Sequence, residues 1–113
     1  MLDPTICIHG GLVLRTTRGA AGVVRVRLQG ELDAFSQAAL RHLLRRLDLH
    51  STRHLDLNLS AISFCDSSGC IGLLSFSERA SHAGFTVRMH SATSQLRWLA
   101  ALVEPESVQV FEE

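Results

Sequence analysis

The sequence predicts an α/β or α+β fold in which strands and helices alternate around one sheet. Residues 54–59 carry leucine at every second position, as is typical of a strand with one buried face. Residues 36–47 instead carry leucines at helical spacing, and their arginines lie off that apolar stripe. The two patterns recur in the order β-β-α-β-α-β-α-β, and strands that are connected through helices run parallel.

The first two predicted strands form a hairpin. Residues 12–17 form a short strand, and the glycine-rich segment 18–22 turns the chain into a second strand over 24–29. In that second strand arginines alternate with apolar residues, which indicates one buried face. Ser36 follows at the position of an N-cap and starts the first helix.

The second half of the chain repeats strand and helix. Leu55, Leu57 and Leu59 are expected on the buried face of the sheet. A second helix spans residues 67 to about 82 and ends before Gly84. The remaining predicted elements are a strand over 85–89, a third helix capped by Ser91 or Thr93, and a closing strand over 107–111.

Composition restricts the range of functions. With 113 residues, of which 46% are hydrophobic and 19% charged, the chain is expected to fold as one globular domain over residues 1–113. Eleven arginines balance eleven acidic residues, so the net charge does not indicate binding to nucleic acid. There is no apolar run of membrane-spanning length and no signal sequence, so we expect a soluble, cytoplasmic protein that does not bind membranes.

Neither metal binding nor disulfide chemistry is predicted. The three cysteines, Cys7, Cys65 and Cys70, are odd in number and lack C-x-x-C spacing, so we interpret them as small buried residues. The six histidines show no H-E-x-x-H pattern, which argues against a metal site. No cofactor is expected.

Two short polar segments follow predicted strands and precede predicted helices. They are G-E-L-D at residues 30–33 and D-S-S-G at residues 66–69. Because sites of open α/β sheets lie at the carboxyl ends of the strands, we expect both segments at one functional edge. Two interpretations of Ser67 and Ser68 stay open. Both are plain residues at the start of a helix beside the N-cap Asp66, or one of them carries a chemical group or attacks a substrate.

These segments resemble the STAS domain (sulfate transporter and anti-sigma factor antagonist) in its stand-alone, anti-anti-sigma form. The resemblance rests on the G-E-L-D turn, the D-L-N-L-S strand, the F-x-D-S-S-G junction and the apolar third helix, and it covers nearly the whole chain. It implies a mixed sheet of about four to five strands with helices packed mainly on one side. It also implies a non-catalytic protein that binds an anti-sigma factor and thereby releases a sigma factor.

The resemblance also implies which residues act. Ser67 matches the serine that is phosphorylated by the partner, an anti-sigma factor with serine kinase activity, and a PP2C-type phosphatase is the expected second partner. Asp66 and Gly69 match the neighbours of that serine, and Asp33 matches the acidic end of the G-E-L-D turn. The expected partner-binding residues are Asp33, Phe35, Asp66, Ser67, Ser68 and Gly69.

A phosphate on Ser67 is compatible with the predicted helix. The first N–H groups of a helix lack intrahelical partners and the helix dipole is positive there, so the helix tolerates the added charge. The same charge, about −1.5 to −2, would repel a partner from a surface that Asp66 and Asp33 already make negative. The unphosphorylated form is therefore expected to hold the anti-sigma factor.

Three other functions stay open on the sequence. A serine hydrolase would use Ser67 or Ser68 as its nucleophile, but the chain has no G-x-S-x-G elbow and no histidine identifiably paired with a serine. A thiol sensor would use Cys65 and Cys70, which flank the motif. A scaffold or phosphorelay subunit of a stressosome-like complex would keep the fold and change the partner.

Overall fold

A computed structural model describes residues 5–47 and 51–112, and for residues 5–9 and 107–109 it describes the backbone alone. The strands are β1 (Thr5–His9), β2 (Leu12–Arg18), β3 (Val23–Leu32), β4 (His54–Cys65), β5 (Thr86–His90) and β6 (Phe111–Glu112). The helices are α1 (Ser36–Arg46), α2 (Ser67–His82) and α3 (Ser94–Val103). A short 3₁₀ segment, Pro105–Val110, precedes β6.

The strands form one mixed sheet in sequence order, which confirms the predicted fold class. β1, β2 and β3 are antiparallel neighbours, and β3 through β6 are parallel, as expected of strands connected through helices. The sheet has six strands, more than the four to five expected, because β1 was not predicted. Gly10 and Gly11 connect β1 to β2, and a Gly-Gly pair between strands is a hairpin signal that reveals β1 in retrospect.

The core lies between one face of the sheet and the three helices. Leu55, Leu57 and Leu59 of β4 are fully buried, as predicted. The helices contribute Leu40 and Leu43 from α1, Leu73 and Phe76 from α2, and Leu96 and Ala100 from α3. Side chains that alternate with the core positions, such as Arg25 and Asn58, point to the opposite face of the sheet and stay exposed or half-buried. The helices therefore pack on one side, as expected.

Two central strands are longer than predicted, and this changes the surroundings of the polar segments. β3 continues through Leu32 and β4 through Cys65, so most of G-E-L-D and the residues just before D-S-S-G are strand rather than loop. Gly30 does not end β3: the β3–β4 register shifts between Gly30 and Glu31, as at a bulge. Its φ is +110°, and a Cβ there would collide with the carbonyl oxygen of Gly11.

The closing strand predicted over 107–111 is mostly wrong. The chain forms the 3₁₀ segment up to Val110, and only Phe111 and Glu112 extend the sheet, where Phe111 pairs with Met89. The alternation in S-V-Q-V-F resembles a strand, but Pro105 stands just before it. Its fixed φ suits the first turn of a helix and explains the helical start of this segment.

The predicted helix ends are correct except at the start of α1. Thr93 caps α3 by accepting a hydrogen bond from Leu96 N at 3.2 Å. Gly84, with a φ of +104°, follows α2, and the next amide, Phe85 N, donates to Ala80 O at 3.1 Å. Ser36, in contrast, is not an N-cap: it is the first helical residue, and its side chain is buried.

Candidate functional site

The two polar segments lie against each other at the carboxyl edge of the sheet, as predicted. Leu32 at the end of β3 pairs with Cys65 at the end of β4. The next amide, Asp66 N, donates to Leu32 O at 3.2 Å, and the Ser63 hydroxyl donates to Gly30 O at 3.2 Å. These two hydrogen bonds hold the start of α2 beside the connection from β3 to α1.

Gly69 makes this close approach possible. It is buried in the first turn of α2, directly over the end of β3. A Cβ at this position would overlap the Leu32 carbonyl group and would lie 2.6 Å from Asp33 N. A residue with any side chain would therefore force α2 away from the turn that follows β3.

Asp66 is the N-cap of α2 and leaves two hydroxyls exposed. Its carboxylate accepts a hydrogen bond from Gly69 N at 2.8 Å, with the extended backbone that an N-cap requires. Ser67 and Ser68 are the first two helical residues, and both are exposed. In the described part of the chain neither hydroxyl has a hydrogen-bond partner.

Asp33 shapes the turn between β3 and α1. Its Oδ1 accepts a hydrogen bond from Phe35 N at 3.0 Å, which closes a turn typical of aspartate. The Ser36 hydroxyl accepts from Asp33 N at 2.9 Å and donates to Glu31 O at 3.0 Å. The Ser36 hydroxyl therefore stabilises the turn and does not cap α1, which explains why the N-cap prediction is wrong.

Three exposed apolar side chains belong to the segments that form this edge. Phe35 is 76% exposed, as suits its predicted contact role, whereas Phe64 and Ile71 are 46% and 44% exposed and were not among the expected binding residues. Both could have been found from the sequence. Phe64 is adjacent to the buried Cys65 and so points outward on the strand, and Ile71 lies one helical turn after Ser67.

The charges of this surface are negative. Glu31, Asp33 and Asp66 lie within residues 30–35 and 62–71, and those two segments contain no arginine. We name this surface, formed by the two segments, the α2-start surface. It combines carboxylates, hydroxyls and exposed apolar side chains, which suits a partner surface with basic and apolar residues.

Cys65 and Cys70 lie beneath the α2-start surface rather than on it. Both are buried, in agreement with their interpretation as small core residues, while the side chain of Cys7 lies outside the described residues. A hydrogen bond with Cys70, together with burial, raises the pKa of the Cys65 thiol far above its ordinary value. The same hydrogen bond lowers the pKa of the Cys70 thiol, so it is burial that makes both thiols inaccessible and therefore poor sensors of oxidants.

Comparison with known proteins identifies the family. The family model described as "Mlab, STAS domain" matches residues 16–106. The chain belongs to the STAS domain family. The described helices of this STAS domain include none that is long and apolar enough to cross a membrane.

Solved structures of STAS proteins share the fold at low identity. The anti-sigma factor antagonist SpoIIAA in its unphosphorylated form is 17% identical, with a TM-score of 0.68 over 88% of this chain and 85% of that one. An anti-sigma factor antagonist from Mycobacterium paratuberculosis is 21% identical, with a TM-score of 0.54 over 93% and 82%. The murine anion transporter Slc26a9 is 18% identical, with a TM-score of 0.66 over 84% of this chain and 17% of that one. Because antagonists and part of a transporter share the fold, function has to be argued from the site.

Proposed function

We propose that this STAS domain is an anti-sigma factor antagonist in a bacterial partner-switching system that regulates transcription in the cytoplasm. Its unphosphorylated form binds an anti-sigma factor with serine kinase activity, and the sigma factor is thereby released. Phosphorylation of Ser67 ends this binding, and a PP2C-type phosphatase restores it. The observation that carries the proposal is the exposed Ser67 hydroxyl, placed in the F-x-D-S-S-G junction as part of the acidic and apolar α2-start surface.

The comparisons support the same direction. SpoIIAA has been solved both in an unphosphorylated and in a phosphorylated form, and both structures resemble this chain, with TM-scores of 0.68 and 0.60. Because the same fold accommodates a phosphate in SpoIIAA, it is compatible with regulation of this chain by phosphorylation. The D-S-S-G sequence of residues 66–69 supplies the candidate acceptor.

The contacts proposed for the partner follow from the exposed side chains of the α2-start surface. Phe35, Phe64 and Ile71 provide apolar area that water leaves when the partner binds. Asp33 and Asp66 attract basic side chains, while their hydrogen bonds to Phe35 N and Gly69 N hold them in place. Gly69 contributes by keeping the two segments in contact, and Ser68 lies beside the acceptor as part of the contact surface.

The effect of phosphate is proposed to be electrostatic. Ser67 lies at the positive end of the α2 dipole, where the first amides lack intrahelical acceptors, so a phosphate there does not disrupt the helix. It adds about −1.5 to −2 charges next to Asp66, in a surface that the partner must desolvate. A partner whose basic groups already pair with Asp33 and Asp66 has to bury this charge beside the apolar contacts without a matching group, which weakens binding.

The proposal is tested with serine variants and the anti-sigma factor kinases of the same organism. Ser67→Ala should bind the kinase and resist phosphorylation, and Ser68→Ala should still be phosphorylated. Ser67→Asp should fold and bind at least about tenfold more weakly, the loss expected when a charge is placed unfavourably at an interface. Ser75→Asp is the matched control, because Ser75 is an exposed serine two turns further along the same face of α2.

Binding is measured by calorimetry, and the phosphate is located by peptide mass spectrometry after incubation with ATP. Equal weakening by Ser67→Asp and Ser75→Asp would show that charge at the start of α2 has no special effect. Phosphate found on Ser68 would move the acceptor by one residue. Chemical-shift changes confined to α3 on addition of the kinase would refute the proposed binding surface.

A further inference from the structure

The face of the sheet that carries no helices forms a second polar surface, separate from the α2-start surface. Side chains from β2 to β5 line a shallow groove there with a volume of about 620 Å³. Its charged lining consists of Arg15, Arg25, Arg27, Arg88 and Asp56. Among the described side chains, four guanidinium groups thus share one open groove with one carboxylate.

Strand register places like charges side by side in this groove. Arg15 of β2 and Arg27 of β3 are direct partners across the antiparallel pair. Arg25 lies two residues before Arg27 and therefore on the same face. Like charges directly opposite each other destabilise a strand pair, so this arrangement opposes folding unless something neutralises it.

The carboxylates near the groove are already occupied. Asp56 lies 2.7 Å from His90 Nε2 and 3.9 Å from an Arg88 nitrogen, and Arg88 Nε also donates to Glu112 at 2.6 Å. Arg25 faces Asp56 across the β3–β4 ladder, yet the two form no ion pair. Within the described residues Arg15, Arg25 and Arg27 have neither a hydrogen bond nor an ion pair.

We propose that this groove binds a small anion that carries two or more phosphate groups close together. Guanidinium groups bind phosphate oxygens through paired hydrogen bonds, and three of them without partners match several negative charges at short spacing. The groove volume lies within the range of about 300–1,000 Å³ that is usual for small-ligand sites. Gly19 supports the arrangement, because a Cβ there would lie 2.6 Å from an Arg25 nitrogen and would displace that guanidinium.

The test measures the binding of sodium tripolyphosphate to the full chain by isothermal titration calorimetry at low ionic strength. We expect one tripolyphosphate to bind per chain, with orthophosphate much weaker because it offers fewer negative charges to the three arginines. Arg15→Gln and Arg27→Gln should each weaken binding about tenfold or more, as expected for loss of a charge-assisted contact. Arg41→Gln is the matched control, because Arg41 is an exposed arginine on α1, on the helical side of the sheet.

Folding does not confound this test. Arg27→Gln removes the like-charge neighbour of Arg15, so it should unfold at a urea concentration no lower than that of the wild type. Absence of tripolyphosphate binding at millimolar concentration would overturn the proposal, as would equal weakening by Arg41→Gln. Tighter binding of a hexaglutamate peptide than of tripolyphosphate would also overturn it, in favour of an acidic protein segment. None of these outcomes bears on the phosphorylation of Ser67, since the groove contains no residue of the α2-start surface.

Discussion

Replacing Gly69 with alanine should destabilise the protein even though alanine favours helix formation. The new Cβ would overlap the Leu32 carbonyl group and lie 2.6 Å from Asp33 N, where ordinary contacts begin at 3.4 Å. All these atoms belong to the backbone at the end of β3, where Leu32 pairs with Cys65 of β4 and Glu31 N donates to Gly11 O at 2.9 Å. Relief of the overlap with the Leu32 carbonyl therefore requires the start of α2 to move away by at least about 1 Å.

The size of the effect follows from three contributions. Extra carbon in a tightly packed site typically costs about 1–3 kcal/mol. Moving α2 also strains or breaks the 3.2 Å hydrogen bond from Asp66 N to Leu32 O, which is worth about 1 kcal/mol. The higher helix propensity of alanine stabilises the folded state by about 0.5–1 kcal/mol relative to glycine. The free energy of unfolding should therefore fall by about 1–3.5 kcal/mol, most of it from the steric overlap.

Urea denaturation of Gly69→Ala and Gly72→Ala measures this effect against a control in the same helix. A Cβ on Gly72 would lie 3.0 Å from Cγ of Gln37, a flexible side chain that can move aside. Gly72→Ala should therefore change stability by less than about 1 kcal/mol, in either direction. If Gly69→Ala proves as stable as the wild type, the close contact between α2 and β3 is not tight, and the rigid α2-start surface described above is wrong.

Three further predictions concern the same region. Asp66→Ala should lower the free energy of unfolding by about 1 kcal/mol in urea denaturation, because Gly69 N loses its cap, and Asp66→Asn should retain most of that stability. Ser36→Ala should cost about 1–3 kcal/mol by the same assay, since the buried hydroxyl serves both Asp33 N and Glu31 O, and an unchanged midpoint would contradict this role. In a Cys7→Ser background the two remaining thiols should react with a disulfide reagent at pH 8 only after urea is added, because both are buried in the folded protein. Rapid reaction of the folded protein would restore the thiol-sensor alternative.

The regular parts of the fold could be predicted from the sequence because their signals are local. The leucine alternation of β4 places Leu55, Leu57 and Leu59 in the core, and the periodicity and Gly84 define α2 almost to the residue. The meeting of G-E-L-D with D-S-S-G was also predictable. Parallel strands that both lead into helices bring their carboxyl ends to one edge.

The remaining features depend on contacts between distant residues. A glycine such as Gly30 reads as the end of a strand, and only pairing with β4 shows that the ladder continues through a bulge. Ser36 has the sequence position of an N-cap, but the carbonyl of Glu31 and the amide of Asp33 compete successfully for its hydroxyl. The arginine groove is a further case. Alternation predicts that Arg25 and Arg27 are exposed, whereas their proximity to Arg15 depends on the register of β2.

The contact at Gly69 also bears on what kind of switch Ser67 can be. A conformational switch would require the start of α2 to move relative to β3, but the helix is fixed there by the Asp66 cap, by the hydrogen bond to Leu32 O and by backbone packing over Gly69. A phosphate on an exposed first-turn serine disturbs none of these contacts and stabilises the positive end of the helix. Its effect must then lie in the charge presented to a partner. We therefore expect the phosphorylated and unphosphorylated proteins to differ in their affinity for the anti-sigma factor far more than in stability or in the amide chemical shifts of the sheet.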